Sequence, residues 1–131
     1  MLAPLAIAPR SADAQGTVVP AVESRLYFGM SSEDGSGVSE QEFATFLRDE
    51  VTPRFPDGLT LVSVYGQSSG STAPNVIQER TKLLILVHED TPEAAAKLAE
   101  LKEIYRERYG QIGVFHTRSP VEIVVSDGAG D

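Results

Sequence analysis

The sequence predicts an α+β fold in which two helices cover one face of a four-stranded antiparallel sheet. Apolar residues recur at helical spacing in two separate segments, each preceded by a residue type that favours helix N-caps. Four further segments show the alternation and the β-branched residues of strands. The chain has 131 residues, of which 41% are hydrophobic, so it is long and apolar enough for one domain with a hydrophobic core.

The first strand and the first helix are predicted from residues 24–30 and from the segment after Ser39. In residues 24–30, Leu26 and Phe28 point to one face of the strand because side chains alternate along it. Ser39 and Glu42 form a capping box, a strong signal for a helix start. Pro53 is expected to end this helix, since the residue before a proline disfavours the helical conformation.

The central part of the chain predicts a hairpin followed by a second helix. Residues 59–67 and 76–88 alternate like strands, and the apolar run within the second of these indicates a central position in the sheet. Thr91 and Pro92 suit the N-cap and the first position of a helix. Gly110 suits the residue that ends it.

The closing strand material is predicted over residues 111–118 and, after Pro120, over 121–125. The resulting order is βαββαβ, the split β-α-β pattern of a ferredoxin-like sandwich. Both helices are then expected on one face of the four-stranded sheet. The other face, called here the open face, is expected to be solvated, to bind a ligand or to be buried in a dimer.

The predicted domain spans residues 23–125, flanked by two segments outside the fold. Residues 1–22 are interpreted as a signal-peptide remnant or a disordered leader, because residues 2–8 are small and apolar and Ala12-Asp13-Ala14 fits a small-x-small cleavage pattern. Residues 126–131 are interpreted as a disordered tail. An exported protein, periplasmic or extracellular, is the corresponding prediction.

Composition excludes several function classes. A net charge of -8 argues against binding to nucleic acid through the global field. The absence of cysteine excludes disulfides, thiolate nucleophiles and cysteine-ligated zinc. No stretch of the sequence is long and apolar enough for a transmembrane segment. No spaced set of histidines and carboxylates completes a metal site, and no cofactor motif is present.

Five stretches of the sequence resemble an uncharacterised bacterial family, domain-of-unknown-function family 3574. They are RLYFG at 25–29, VTPRFPDGLT at 51–60, YGQ at 65–67, ERTKLL at 79–84 and YRERYGQ at 105–111. They occur in the order of the family and lie within residues 25–125. The resemblance implies a small exported or lipoprotein-like domain, and it implies no reaction.

Strand parity suggests a polar set of side chains on the open face. An arginine fork suits a carboxylate or phosphate group, and tyrosine and histidine can donate or accept hydrogen bonds. His116 and Tyr65 are the candidate catalytic residues, with His116 as acid or base. The candidate ligand-binding residues are Arg25, Tyr27, Gln67, Arg80, Lys82 and Arg118.

These residues leave two functions open. The first is a binding or interaction module that uses the open face for a small anionic or polar ligand or for homodimerisation. The alternative is a small cofactor-free enzyme of isomerase, lyase or oxygenase type, in which arginine and tyrosine stabilise charge on the substrate. An ordinary solvated or dimer-buried strand face explains the same polar residues without any ligand.

Overall fold

The structure, a computed structural model, describes residues 10–11, 17–32, 34–69 and 76–126, which form five strands and two helical segments. The strands are β1 (Arg10–Ser11), β2 (Thr17–Gly29), β3 (Thr60–Ser69), β4 (Val76–His88) and β5 (Phe115–Val125). Helix α1 comprises Glu40–Phe46, a π-helical turn at Leu47–Val51 and a last turn at Thr52–Arg54. Helix α2 comprises Pro92–Tyr109.

The strands form one antiparallel sheet with β2 at its centre. β2 pairs with β4 on one side and with β5 on the other, while β3 pairs with the far edge of β4. The short strand β1 pairs with the first two residues of β2. With the helices following β2 and β4, this is the ferredoxin-like α+β arrangement that the sequence predicts.

The core lies between the two helices and the face of the sheet that carries the even-numbered residues of β2. Leu26 and Phe28 are fully buried there. Leu84 opposes Leu26 in the register, so the even-numbered residues of β4 share this helix-covered face. The helices contribute Phe43, Phe46, Val51, Leu98, Leu101 and Tyr105 to the core.

Strand β2 begins earlier than the sequence analysis predicts. It starts at Thr17, and its residues up to Val22 pair with β5, so the predicted domain boundary at residue 23 falls inside the strand. Val18 and Val22 are buried, which gives this extension an apolar contribution. The rest of the predicted leader, apart from residues 10–11, and the predicted tail beyond residue 126 lie outside the described residues.

Two prolines interrupt their elements less than the sequence suggests. Helix α1 continues to Arg54, one residue beyond Pro53, after passing through the π-helical turn, where a wider helix relieves crowding near the proline ring. Strand β5 continues through Pro120 as a single strand. It is an edge strand, the position in a sheet where a missing backbone donor is tolerated.

Candidate functional site

The strand register divides the predicted set of polar residues between the two faces of the sheet. Arg25 and Tyr27 lie on the open face, as predicted, because their neighbours Leu26 and Phe28 face the helices. Phe28 opposes Lys82 and Leu26 opposes His116. The open-face prediction is therefore wrong for the residues that share their parity: Arg80, Lys82, His116 and Arg118.

The same correction applies to β3. Tyr65 opposes Arg80, so Tyr65 lies on the side of the sheet that carries the helices, and Gln67 follows it by parity. Val62 and Val64 lie on the open face instead of in the core. The polar residues fit the helix-covered face because this part of it lies beside the start of α1, where Glu40 offers a carboxylate.

Two basic residues of β4 and the first residue of α1 form a cleft of about 340 Å³, called here the Glu40–Lys82 cleft. The Lys82 Nζ atom donates to Glu40 Oε1 at 2.6 Å and to Ser63 Oγ at 2.8 Å. Arg80 Nη1 donates to the other carboxylate oxygen, Glu40 Oε2, at 3.1 Å. The cleft is lined by Met30, Glu40, Ser63, Val64, Tyr65, Arg80, Thr81 and Lys82.

The electrostatics of the cleft are those of two cations on one carboxylate. Lys82 is only 8% exposed, so its charge requires a partner. The hydrogen bond from Lys82 lowers the pKa of the Glu40 carboxyl, and the charges of Lys82 and Arg80 lower this pKa further. The three side chains carry a net positive charge within a chain whose net charge is -8.

His116 lies apart from this cleft. Strand β2 separates β5, which carries His116, from β4, which carries Lys82, and the buried Leu26 and Phe28 occupy the face between them. The structure therefore does not bring His116 and Tyr65 together as one catalytic pair. Arg118, two residues further along β5, donates instead to Asp90 Oδ1 at 2.8 Å.

His116 has the environment of a neutral imidazole. The Lys102 Nζ atom lies 3.0 Å from its Nδ1, which places the imidazole proton on Nε2. Nε2 is buried and has no hydrogen-bond partner among the described residues. Burial lowers the pKa of His116, and the charges of Lys102, Arg118 and His88 lower this pKa further.

Three polar residues that make close contacts are not predicted from the sequence. Glu40 and Ser63 contact Lys82, and the only sequence signal for Glu40 is its place directly after the Ser39 N-cap. Ser24 Oγ lies 2.7 Å from His88 Nε2. Ser24 is fully buried, so this pair has the spacing of a nucleophile and its base but lacks access for a substrate.

The open face is apolar, in contrast to the polar surface that the sequence suggested. Phe115 is 67% exposed and packs against Tyr27 with ring centroids 5.5 Å apart. The charge of Arg25 is paired with Glu23 at 2.8 Å. The register places aliphatic side chains on this face on both sides of the Glu23–Arg25 pair: Val19, Ala21, Val62, Val64, Leu83, Ile85, Val87, Val121 and Ile123.

Two features are absent from the described part of the chain. Its histidines and carboxylates form no group of three or more that is placed to hold a metal ion. Neither of its helical segments combines the length and the apolar composition needed to cross a membrane.

The fold and the site define a ferredoxin-like α+β domain with an apolar open face and one cationic cleft. The chain belongs to a family described as a protein of unknown function, DUF3574, whose model matches residues 23–124. This agrees with the resemblance noted from the sequence. No curated protein matches the chain.

Solved structures resemble the chain in fold. A phage SAM lyase in complex with S-methyl-5'-thioadenosine matches with a TM-score of 0.58 and 13% identity, covering 88% of this chain and 94% of the lyase chain. The apo phage SAM lyase gives a TM-score of 0.57 and 14% identity, with coverages of 81% and 90%. A PII-like signalling protein from Thermus thermophilus gives a TM-score of 0.52 and 18% identity, with coverages of 82% and 92%. At these identities the similarity establishes the fold alone.

Proposed function

We propose that the protein is an interaction module that self-associates through the open face of its sheet. The observation that carries the proposal is the apolar character of that face, from Val62 on one edge strand to Ile123 on the other. Burying apolar surface is the main favourable term in protein association. An apolar face that neither described helix covers fits an interface better than a solvated surface.

The size of the face matches a stable interface. Four strands spaced at about 4.8 Å, each paired over about ten residues of about 3.3 Å, give a surface of roughly 600 Å². A standard interface buries about 800 Å² of accessible surface on each partner. Accessible area exceeds this flat projection because side chains stand out from the sheet, so one face supplies enough area for a dimer.

The charge distribution favours a second copy as the partner. Within the described strands, the open face carries three charged side chains, those of Glu23, Arg25 and Glu79. Arg25 is paired with Glu23, and Glu79 accepts a hydrogen bond from the Ser31 amide at the corner of the sheet. Most of the net charge of -8 therefore lies elsewhere, and two copies can face each other with little like-charge repulsion.

An aromatic pair on the open face, the exposed Phe115 and the half-buried Tyr27, is the candidate hot spot of this interface. Tyr27 and Phe115 lie together on the open face at the start of β5. Aromatic side chains that become buried contribute strongly to binding in protein interfaces.

The exported location that the family resemblance implies is part of the same proposal. Fractionation of the native host tests it, and recovery of the protein from the cytoplasmic fraction alone would contradict it.

Two neighbouring residues of β5 provide a matched test of the face. Ile123 lies on the open face and is 41% exposed, whereas Val124 points to the opposite side and is 56% exposed. We expect Ile123→Glu to yield monomers, because an unpaired carboxylate in an apolar interface costs several kcal/mol. We expect Val124→Glu to associate like the unmodified protein.

Sedimentation velocity over a wide concentration range measures the result, and circular dichroism checks that both variants are folded. A monomeric unmodified protein at all concentrations would overturn the proposal. Equal loss of association in both variants would also overturn it, since that result indicates pairing through the exposed backbone of the β5 edge.

A further inference from the structure

We propose that the Glu40–Lys82 cleft binds a small organic carboxylate with an apolar body, and that the carboxylate of this ligand replaces Glu40 on Lys82. The side chain of Glu40 is 63% exposed, whereas that of Lys82 is 9% exposed. The carboxylate therefore reaches the buried ammonium from the solvent side. In this position Glu40 occupies the place that a ligand carboxylate would take.

The arrangement of donors fits a carboxylate. Lys82 and Arg80 contact different oxygens of Glu40, at 2.6 and 3.1 Å. A ligand carboxylate in the same position receives one charge-assisted hydrogen bond on each oxygen, and such bonds are roughly twice as strong as neutral ones. Ser63 Oγ, at 2.8 Å from Lys82 Nζ, keeps the ammonium oriented during the exchange.

The lining of the cleft accounts for the apolar body of the ligand. Met30 contributes apolar atoms, and Tyr65 is 69% exposed at the same place. An exposed tyrosine offers a flat surface on which a ring can pack. The cleft volume of about 340 Å³ lies at the lower end of ligand-binding pockets, so a compound with a single ring is the fitting size.

This site is independent of the proposed self-association. The polar groups that define it, Glu40, Ser63 and Lys82, lie on the helix-covered side, whereas the proposed interface uses the open face. Loss of one activity therefore leaves the other intact. The open-face variant Ile123→Glu is expected to bind the ligand as the unmodified protein does.

Phenylacetate is a suitable probe, since it combines one carboxylate with one ring. Its binding is measured by NMR chemical-shift titration of the amides of residues 60–66 and 79–82, with 2-phenylethanol as the uncharged analogue. We expect Glu40→Gln to bind phenylacetate about tenfold more tightly, because the competing carboxylate is removed. Glu93→Gln, at the first turn of the other helix, is the matched control and is expected to change nothing.

Two further variants test the cations. Lys82→Met is expected to lose at least about tenfold in affinity, the size of one charge-assisted hydrogen bond. Arg80→Gln, at an exposed position, is expected to weaken binding as well, and it keeps the test valid if Lys82→Met fails to fold.

Several results would overturn the inference. One is that folded Glu40→Gln shows no saturable binding of phenylacetate. Another is that Glu40→Gln and Glu93→Gln raise the affinity for phenylacetate equally. A third is that Arg80→Gln binds phenylacetate with unchanged affinity. Equal binding of 2-phenylethanol would exclude the carboxylate, and equal binding of inorganic phosphate would exclude the apolar body.

Discussion

Replacing Tyr105 by phenylalanine is expected to destabilise the protein by about 1–2 kcal/mol. Tyr105 is fully buried, and its hydroxyl donates to the Gly29 carbonyl oxygen at 2.5 Å. This bond joins α2 to the end of β2. Burial raises the pKa of the Tyr105 phenol, so the hydroxyl keeps its proton at neutral pH and remains a donor.

The magnitude follows from what the substitution removes. The ring stays, and with it the edge contacts to Phe28 at 4.7 Å and to Phe46 at 5.2 Å between centroids. Losing a neutral hydrogen bond costs about 1 kcal/mol, and a carbonyl left unpaired in a buried place adds up to about 1 more. Removing the whole side chain would cost more, about 3–5 kcal/mol, because a cavity would form in the aromatic core.

Tyr109→Phe is the matched control on the same helix. The Tyr109 hydroxyl donates to the Glu42 carbonyl oxygen at 3.2 Å in an exposed setting. Water can replace it there, so we expect a loss of no more than about 0.5 kcal/mol. Urea unfolding followed by circular dichroism measures both variants. Equal losses in the two variants, or no loss in Tyr105→Phe, would refute the role of the buried hydrogen bond.

Two other predictions concern pH and a backbone position. The pKa of His116 is lower in the folded protein than in the unfolded chain. As pH falls below about 6.5, His116 therefore binds a proton in the unfolded chain before it does so in the folded protein, and the free energy of unfolding decreases. His116→Asn should reduce the difference in urea midpoint between about pH 7.5 and about pH 5.5, and an unchanged difference would contradict the assignment. Gly110, with φ of 62°, ends α2 in a left-handed conformation, so Gly110→Ala should cost about 1 kcal/mol. Thermal unfolding measures this loss of stability, with Gly113→Ala as the control, because an added Cβ atom at Gly113 meets nothing within 4 Å. Equal losses in the two variants would show that the left-handed conformation of Gly110 is not the cause.

The helices could be predicted because their signals are local. The capping box of Ser39 and Glu42 forms as expected, with Ser39 accepting from the Glu42 amide at 3.0 Å. Thr91 likewise accepts from the Ala94 amide at 3.1 Å. The early start of β2 could not be predicted in this way, since residues 17–22 gain their partners from β5, about a hundred residues further along the chain.

The prediction of the candidate site failed because it assigned the wrong face of three strands to the core. On β3, Val62 and Val64 suit a core as well as Leu61 does, so composition alone gives no reason to turn Tyr65 toward the helices. On β4, the run from residue 83 to residue 87 is apolar at every position and carries no alternation. Only the pairing of Leu84 with the buried Leu26 fixes which side faces the core.

This failure has a physical cause that bears on the proposed interface. Alternation disappears from a strand when both of its faces are apolar, and it persists when one face meets water. In a two-layer fold the helices account for one apolar face of β4, which leaves Leu83, Ile85 and Val87 on the other face without a covering layer among the described residues. A second copy placed face to face supplies that layer at the usual spacing of about 10 Å between packed sheets. The same side chains that obscure the face assignment are therefore the ones that the proposed self-association would bury.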